Sequence, residues 1–196
     1  MNLSIIIPTI SRRTLIRTLL SIYPEILPSD EVLVVGDGTQ PWAQEAVPQF
    51  GTPFRYIEGP RTCQWGHAQR TLGMSQAKGD YLAFMDDDDV YLPGGIDSIR
   101  RGVRETAAGM LLFRMRHHDR VIWEKPEIRH QNLSTQMAVI KNEPTKLGNW
   151  TSNPRYPDGR GGDFYFIEQT AALWPPSSII FRDEVIAELT NHGSGR

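Results

Sequence analysis

Three features of the sequence predict an α/β fold with a mostly parallel central sheet and a mixed or antiparallel C-terminal extension. Through the first 110 residues, short β-branched runs alternate with longer helical patterns, the signature of βαβ units. The run YLAFM at residues 81–85 is nearly all apolar, as a strand covered on both faces must be. Beyond residue 110 the pattern loosens into MLLFRM, VIW and TQMAVI, separated by polar turns, which suits strands added in mixed or antiparallel fashion.

In chain order, residues 3–7 form the first strand. Residues 14–23 set Leu15, Leu19, Ile22 and Tyr23 at helical spacing, and Pro24 and Pro28 close that segment. EVLVV at 31–35 is the second strand, broken by GDGT. A helix over 42–47, a strand over 54–57 and a helix over 66–77, capped by Gly79, lead into YLAFM. Residues 96–106 are helical. Residues 147–162, LGNWTSNPRYPDGRGG, have the Gly, Pro, Asn and Asp content of a long mobile loop, and a helical segment follows over 164–170. No internal repeat and no break in composition marks a boundary, so 1–196 reads as one domain.

Composition narrows the function classes. At 196 residues and 39% hydrophobic content the chain can bury a full core. A net charge of −2 argues against a protein that binds bulk nucleic acid. The single cysteine, Cys63, forms no intrachain disulfide and gives no zinc pattern, which favours a reducing, cytoplasmic setting. No apolar run approaches the ~20 residues that span a bilayer, so the expectation is a chain without a transmembrane segment, at most peripheral to a membrane.

The most informative stretch is Asp86, Asp87, Asp88 and Asp89, which begins where YLAFM ends. In open parallel sheets, ligands bind outside the carboxyl ends of the strands. On an extended backbone Asp86 and Asp88 share a face, and two carboxylates ~5 Å apart repel by roughly 3 kcal/mol at an effective dielectric near 20. A divalent cation removes that conflict, and hard oxygen ligands suit Mg²⁺ or Mn²⁺. A solvated acidic turn is the competing reading; the buried strand in front of it argues for a site. The spacing fails the EF-hand pattern, since Tyr91 falls where its glycine belongs and Asp97 where its bidentate glutamate belongs.

Two further residues fit a nucleotide. Asp37 stands between glycines at the end of the second strand, where its carboxylate can accept hydrogen bonds from a base or ribose. Arg70, on the helix before the acidic strand, is of the type that grips diphosphates bidentately. Neither GxGxxG after the first strand nor GxxxxGK[ST] occurs, so metal and side chains must hold the phosphates.

Four separated motifs, LSIIIPTISRR, EVLVVGDGT, GHAQRTLGMSQAKGDYLAFMDDDD and GRGGDFYFI, span residues 3–167. In order and spacing the chain resembles an inverting family 2 glycosyltransferase of GT-A fold, a Rossmann-like α/β/α sandwich. The third motif is the most specific. The resemblance implies that Thr9 and Asp37 contact the nucleotide of a sugar-nucleotide donor, with Arg70 helping to hold it. It also implies that Asp86 and Asp88 are the family's DxD, Asp86 facing ribose and metal and Asp88 ligating a Mn²⁺ or Mg²⁺ that bridges the diphosphate. Asp163 matches the general base. The donor would be a UDP-sugar ahead of a GDP- or dTDP-sugar, and the acceptor a glycan, a lipid-linked glycan or a small molecule. Residues 1–110 would then bind donor and metal, and residues 111–196 the acceptor. Ser11, Gly36, Thr71 and Gly162 depart from the family's usual Asn, Asp, Asn and acid at those places.

Rival readings are a retaining transferase on the same fold, separable by the product's anomeric configuration, and a non-catalytic sugar-nucleotide and metal binding module, separable by turnover. Asp163 could instead serve as a helix N-cap. His130 and His192 are left unassigned, and Trp65, Trp150 and Trp174 are sugar-stacking or core residues.

Overall fold

The computed structural model describes residues 1–155 and 161–190. Its strands are β1 (Leu3–Thr9), β2 (Glu31–Asp37), β3 (Phe54–Gly59), β4 (Tyr81–Phe84), β5 (Val90–Tyr91), β6 (Met110–His117), β7 (Arg120–Ile122), β8 (Ala138–Lys141) and β9 (Ile179–Leu189). Its α-helices are α1 (Leu15–Ile22), α2 (Pro41–Ala46), α3 (His67–Gln76), α4 (Gly95–Thr106) and α5 (Gly162–Ala172). Among the described residues all strands join one sheet, in the order β3-β2-β1-β4-β8-β6-β9-β5, with β7 paired to β6.

The first half is the predicted parallel unit. β1 pairs in parallel with both β2 and β4, and β2 with β3. Every residue of β1 is buried, because helices cover both faces of this part of the sheet. α1 turns Leu15, Leu19 and Ile22 fully inward; burying each such side chain contributes about 1.5–3 kcal/mol. α3 approaches β1 closely at Gly73, where a Cβ would meet the Ile6 side chain at 2.5 Å. Parallel register then sets Thr9 opposite Gly36 and Asp37 opposite Gly59, at adjacent carboxyl ends.

The second half is mixed, as the loosened pattern implies. β8 runs antiparallel to β4 and β6, while β6 and β9 are parallel. One expectation needs correcting. TQMAVI is not a continuous strand: Thr135–Met137 form a 3₁₀ turn and only Ala138–Lys141 join the sheet. Past Arg182, β9 continues to Leu189 and holds β6 on one side and β5 on the other. Its Arg182-Asp183-Glu184 centre reads as a turn, and the β6–β9 register shifts on either side of Arg114; an interrupted period hides the strand.

The predicted mobile loop is anchored at Trp150 where it is described. Residues 147–155 lack regular structure, yet Trp150 is buried and its ring stacks on Phe166 at 4.2 Å. Residues 156–160 of that loop, and His192, lie outside the described residues. No helix among the described residues is long and apolar enough to cross a membrane.

One buried ion pair ties α4 to the loop before β2. Arg100 donates to Asp30 at 2.5 and 3.2 Å, and Asp30 also accepts from the Leu3 and Leu27 amides at 2.9 and 2.8 Å. Both side chains are buried. Asp30→Ala would leave Arg100 charged and unpaired, so urea unfolding is expected to show a loss of about 3–5 kcal/mol; a change below about 1 kcal/mol would contradict the assignment.

Candidate active site

The acidic residues sit on a turn at the carboxyl end of β4, beside the end of β1. The Met85 amide still donates to the Ile6 carbonyl at 3.1 Å, and the Asp89 amide folds back to the Asp86 carbonyl at 3.2 Å. The backbone is therefore not extended across the four aspartates, and this corrects the basis for pairing only Asp86 with Asp88. The turn gathers Asp86, Asp88 and Asp89, with one carboxylate oxygen of each within 4.8 Å of the others. Asp87 points elsewhere. It is buried and accepts hydrogen bonds from Thr9 Oγ1 at 2.7 Å, the Ile10 amide at 3.3 Å and Arg12 at 2.8 Å.

Several partners converge on the cluster from distant parts of the chain. Gln136, on the 3₁₀ turn before β8, donates through Nε2 to Asp86 at 3.1 Å and to Asp89 at 2.6 Å. The Thr190 amide, just past β9, donates to Asp89 at 3.1 Å. Arg12 reaches Asp88 at 3.1 Å while half exposed. Arg70 forms an ion pair with Asp86, donates to the Trp65 carbonyl at 2.8 Å and lies over the Trp150 ring at 4.7 Å. Arg70 is thus buried rather than on the surface. None of Asp89, Gln136, Arg12 and Thr190 was indicated by the sequence alone, although Asp89 belonged to the same acidic run.

The electrostatics of the cluster fit a cation. Burial, and then the charges of Asp86 and Asp88, push the Asp89 carboxyl up to about 8. Three hard oxygen donors holding excess negative charge suit a divalent ion, which can take the place of that proton. The sign of the pH effect follows. Without a cation, the folded chain keeps a proton on Asp89 that the unfolded chain releases near 3.8, so stability falls as pH rises from about 4 to about 8. With EDTA present, the urea midpoint is expected to drop over that range, and Asp89→Asn is expected to flatten the drop. An identical slope in the variant would contradict the shift.

Two cavities meet at Trp65, and the first opens at this turn. The first, of about 400 Å³, is lined by Thr9, Asp37, Arg70 and Asp86 together with Arg12 and Trp65. The structure thus brings together four of the sequence-predicted residues around one cleft. Thr9 donates to Asp87 and accepts from the Ser11 amide at 2.9 Å. Asp37 accepts from the Thr62 and Cys63 amides at 2.6 and 3.0 Å and from Gln69 at 3.0 Å, which fixes the loop before α3 as the cleft's rim.

The second cavity, of about 480 Å³, is lined by Asp163, His67, His130 and Trp65 among others. Asp163 opens the first turn of α5 and makes no side-chain N-cap bond there; Gly161 occupies the cap position. Its Oδ2 accepts from Thr135 Oγ1 at 3.2 Å. Burial pushes its carboxyl above the usual range, with Arg70 opposing and Asp86 reinforcing. Gly162 has a steric reason: a Cβ there would meet His67 Nε2 at 2.4 Å. Burial and then Arg70 push the His67 imidazole down, so it lines this cavity uncharged at neutral pH.

Residues 4–170 match the family model for glycosyl transferase family 2. An uncharacterized glycosyltransferase of Haemophilus influenzae is 25% identical over 147 residues, covering 72% of this chain and 49% of its own. Among solved structures, S. aureus TarS 1–349 in complex with UDP-GlcNAc is 15% identical, with a TM-score of 0.76 over 99% of this chain and 60% of that one. The mannosyltransferase PcManGT from Pyrobaculum calidifontis, in complex with GDP-Man and Mn²⁺, is 16% identical, with a TM-score of 0.70 over 98% of this chain and 58% of that one. The fold is that of the GT-A glycosyltransferases. The chain spans about half the length of the Haemophilus relative.

Proposed function

Because the chain belongs to glycosyltransferase family 2, we propose that it moves a sugar from a nucleoside-diphosphate sugar to an acceptor hydroxyl, with inversion and with Mn²⁺ or Mg²⁺ as cofactor. The observation that carries this reading is the pair of adjoining cavities, one lined by Asp37 and by Asp86 of the carboxylate cluster, the other by Asp163. Binding of UDP-GlcNAc by TarS and of GDP-Man by PcManGT supports the donor class.

In this reading Thr9 and Asp37 border the nucleoside, and Arg12 and Arg70 place positive charge beside the diphosphate. When bound to Asp86, Asp88 and Asp89, the cation supplies Lewis-acid neutralisation of the leaving diphosphate. Asp163, ionised, takes the acceptor hydroxyl's proton. The acceptor oxygen bonds to the anomeric carbon as its bond to the diphosphate oxygen breaks, and attack from the face opposite the leaving group gives inversion. The raised basicity of Asp163 suits that task. Holding both reactants in neighbouring cavities supplies the proximity that a displacement needs.

The test is a thermal-shift screen of UDP, GDP, dTDP and their sugars, each with and without Mn²⁺, followed by an assay for free nucleoside diphosphate with candidate acceptors. Stabilisation that requires nucleotide and metal together, then turnover with an inverted product, is the expected result. Binding without any release of diphosphate would favour the non-catalytic module.

A further inference from the structure

Trp65 combines three features that core packing does not explain. It is 71% exposed, whereas the other two tryptophans weighed as sugar-stacking candidates, Trp150 and Trp174, are buried. It lines both cavities, the one holding Asp86 and the one holding Asp163. Its backbone lies in the left-handed region at φ 53°, a conformation that costs a bulky side chain about 1–3 kcal/mol. Neighbouring contacts maintain it: the Trp65 carbonyl accepts from Arg70, and Asp37 holds the Thr62 and Cys63 amides just before it. An exposed indole is thus held in a strained position at the boundary of two sites by residues of the donor cleft.

From this placement we infer that Trp65 is a stacking platform for a pyranose ring of the acceptor, so that the acceptor is a carbohydrate rather than an acyclic alcohol. The inference rests on the glycosyltransferase reading and names the acceptor class for that site. One face of a pyranose presents several C–H bonds, whose positive ends match the negative face of an indole ring. The hydroxyls at the ring's edge need polar partners, and the second cavity supplies His67, His130, Gln131 and Asp163 beside the apolar Leu133 and Phe164. A ring laid on Trp65 would lie between the donor cleft and the base.

The experiment is saturation-transfer difference NMR on the full chain with the methyl pyranosides of glucose, galactose and N-acetylglucosamine, and with glycerol as the acyclic probe. UDP, GDP and dTDP with Mn²⁺ are followed by thermal shift in parallel. At least one pyranoside is expected to receive saturation, strongest on the protons of one ring face, and glycerol none. Trp65→Ala is expected to cut that signal about fivefold, the equivalent of about 1 kcal/mol of aromatic contact, and Trp65→Phe to retain part of it. The nucleotide shift is expected to persist in both variants. Pyranoside binding that is absent, or unchanged in Trp65→Ala, while the nucleotide shift stands would overturn the inference and leave the glycosyltransferase reading intact. Loss of the nucleotide shift alone in Trp65→Ala would also overturn it, by assigning the indole to the base. A wild-type chain that binds neither probe would sink both.

Discussion

Asp163→Asn is expected to lower sugar transfer by about 10²–10⁴-fold while leaving nucleotide and Mn²⁺ binding in place. The side chains are nearly the same size, and the amide oxygen can still accept from Thr135 Oγ1. What disappears is the capacity to take a proton from an acceptor hydroxyl. Because Asp163 lines the second cavity and Asp86 of the carboxylate cluster lines the first, donor affinity and turnover should separate cleanly. Initial rates with saturating donor, set beside the thermal shift given by UDP and Mn²⁺, read the two effects. Full activity in the variant would remove Asp163 from the reaction.

The second large effect is Asp88→Ala. Asp88 supplies one of the three convergent oxygens, and its ion-pair partner, Arg12, has Asp87 as well. Its loss should therefore spare the fold and weaken the hold on a cation. The nucleotide-dependent thermal shift should no longer respond to Mn²⁺, and transfer should fall by at least about 10²-fold, since each tenfold corresponds to about 1.36 kcal/mol of lost transition-state stabilisation. The unchanged urea midpoint of the variant serves as the control. A metal response equal to that of the wild type would place the ion elsewhere.

The parallel half of the fold was legible in the sequence because its signals are local. A run such as YLAFM needs cover on both faces, and a strand end is a place where chemistry concentrates. Asp37, Arg70 and Asp86, together with Thr9, which the family resemblance added, line one cavity. What stayed hidden depends on topology. Gln136 reaches the aspartates because β8 lies beside β4, and Thr190 does so because β9 runs alongside β6; neither residue carries a local signal. Asp89 was passed over because an extended backbone sends it to the opposite face from Asp88, whereas the turn sends both inward. The loop at 147–155 has the composition of a mobile segment and is largely exposed, and the anchoring of Trp150 between Phe84 and Phe166 carries no local signal. Of Trp65, Trp150 and Trp174, which sequence could not tell apart, the structure exposes the first and buries the other two.

The central claim is that Asp86, Asp88 and Asp89 exist to hold a divalent cation together with a nucleoside diphosphate. It is tested most directly by electron paramagnetic resonance of Mn²⁺ titrated into the wild-type chain with and without UDP or GDP. The account predicts that the signal of free Mn²⁺ is suppressed to one ion per chain, and that the nucleotide tightens this binding beyond what it does in solution alone. Free Mn²⁺ that tracks the amount added, indifferent to protein at every nucleotide concentration, would contradict it.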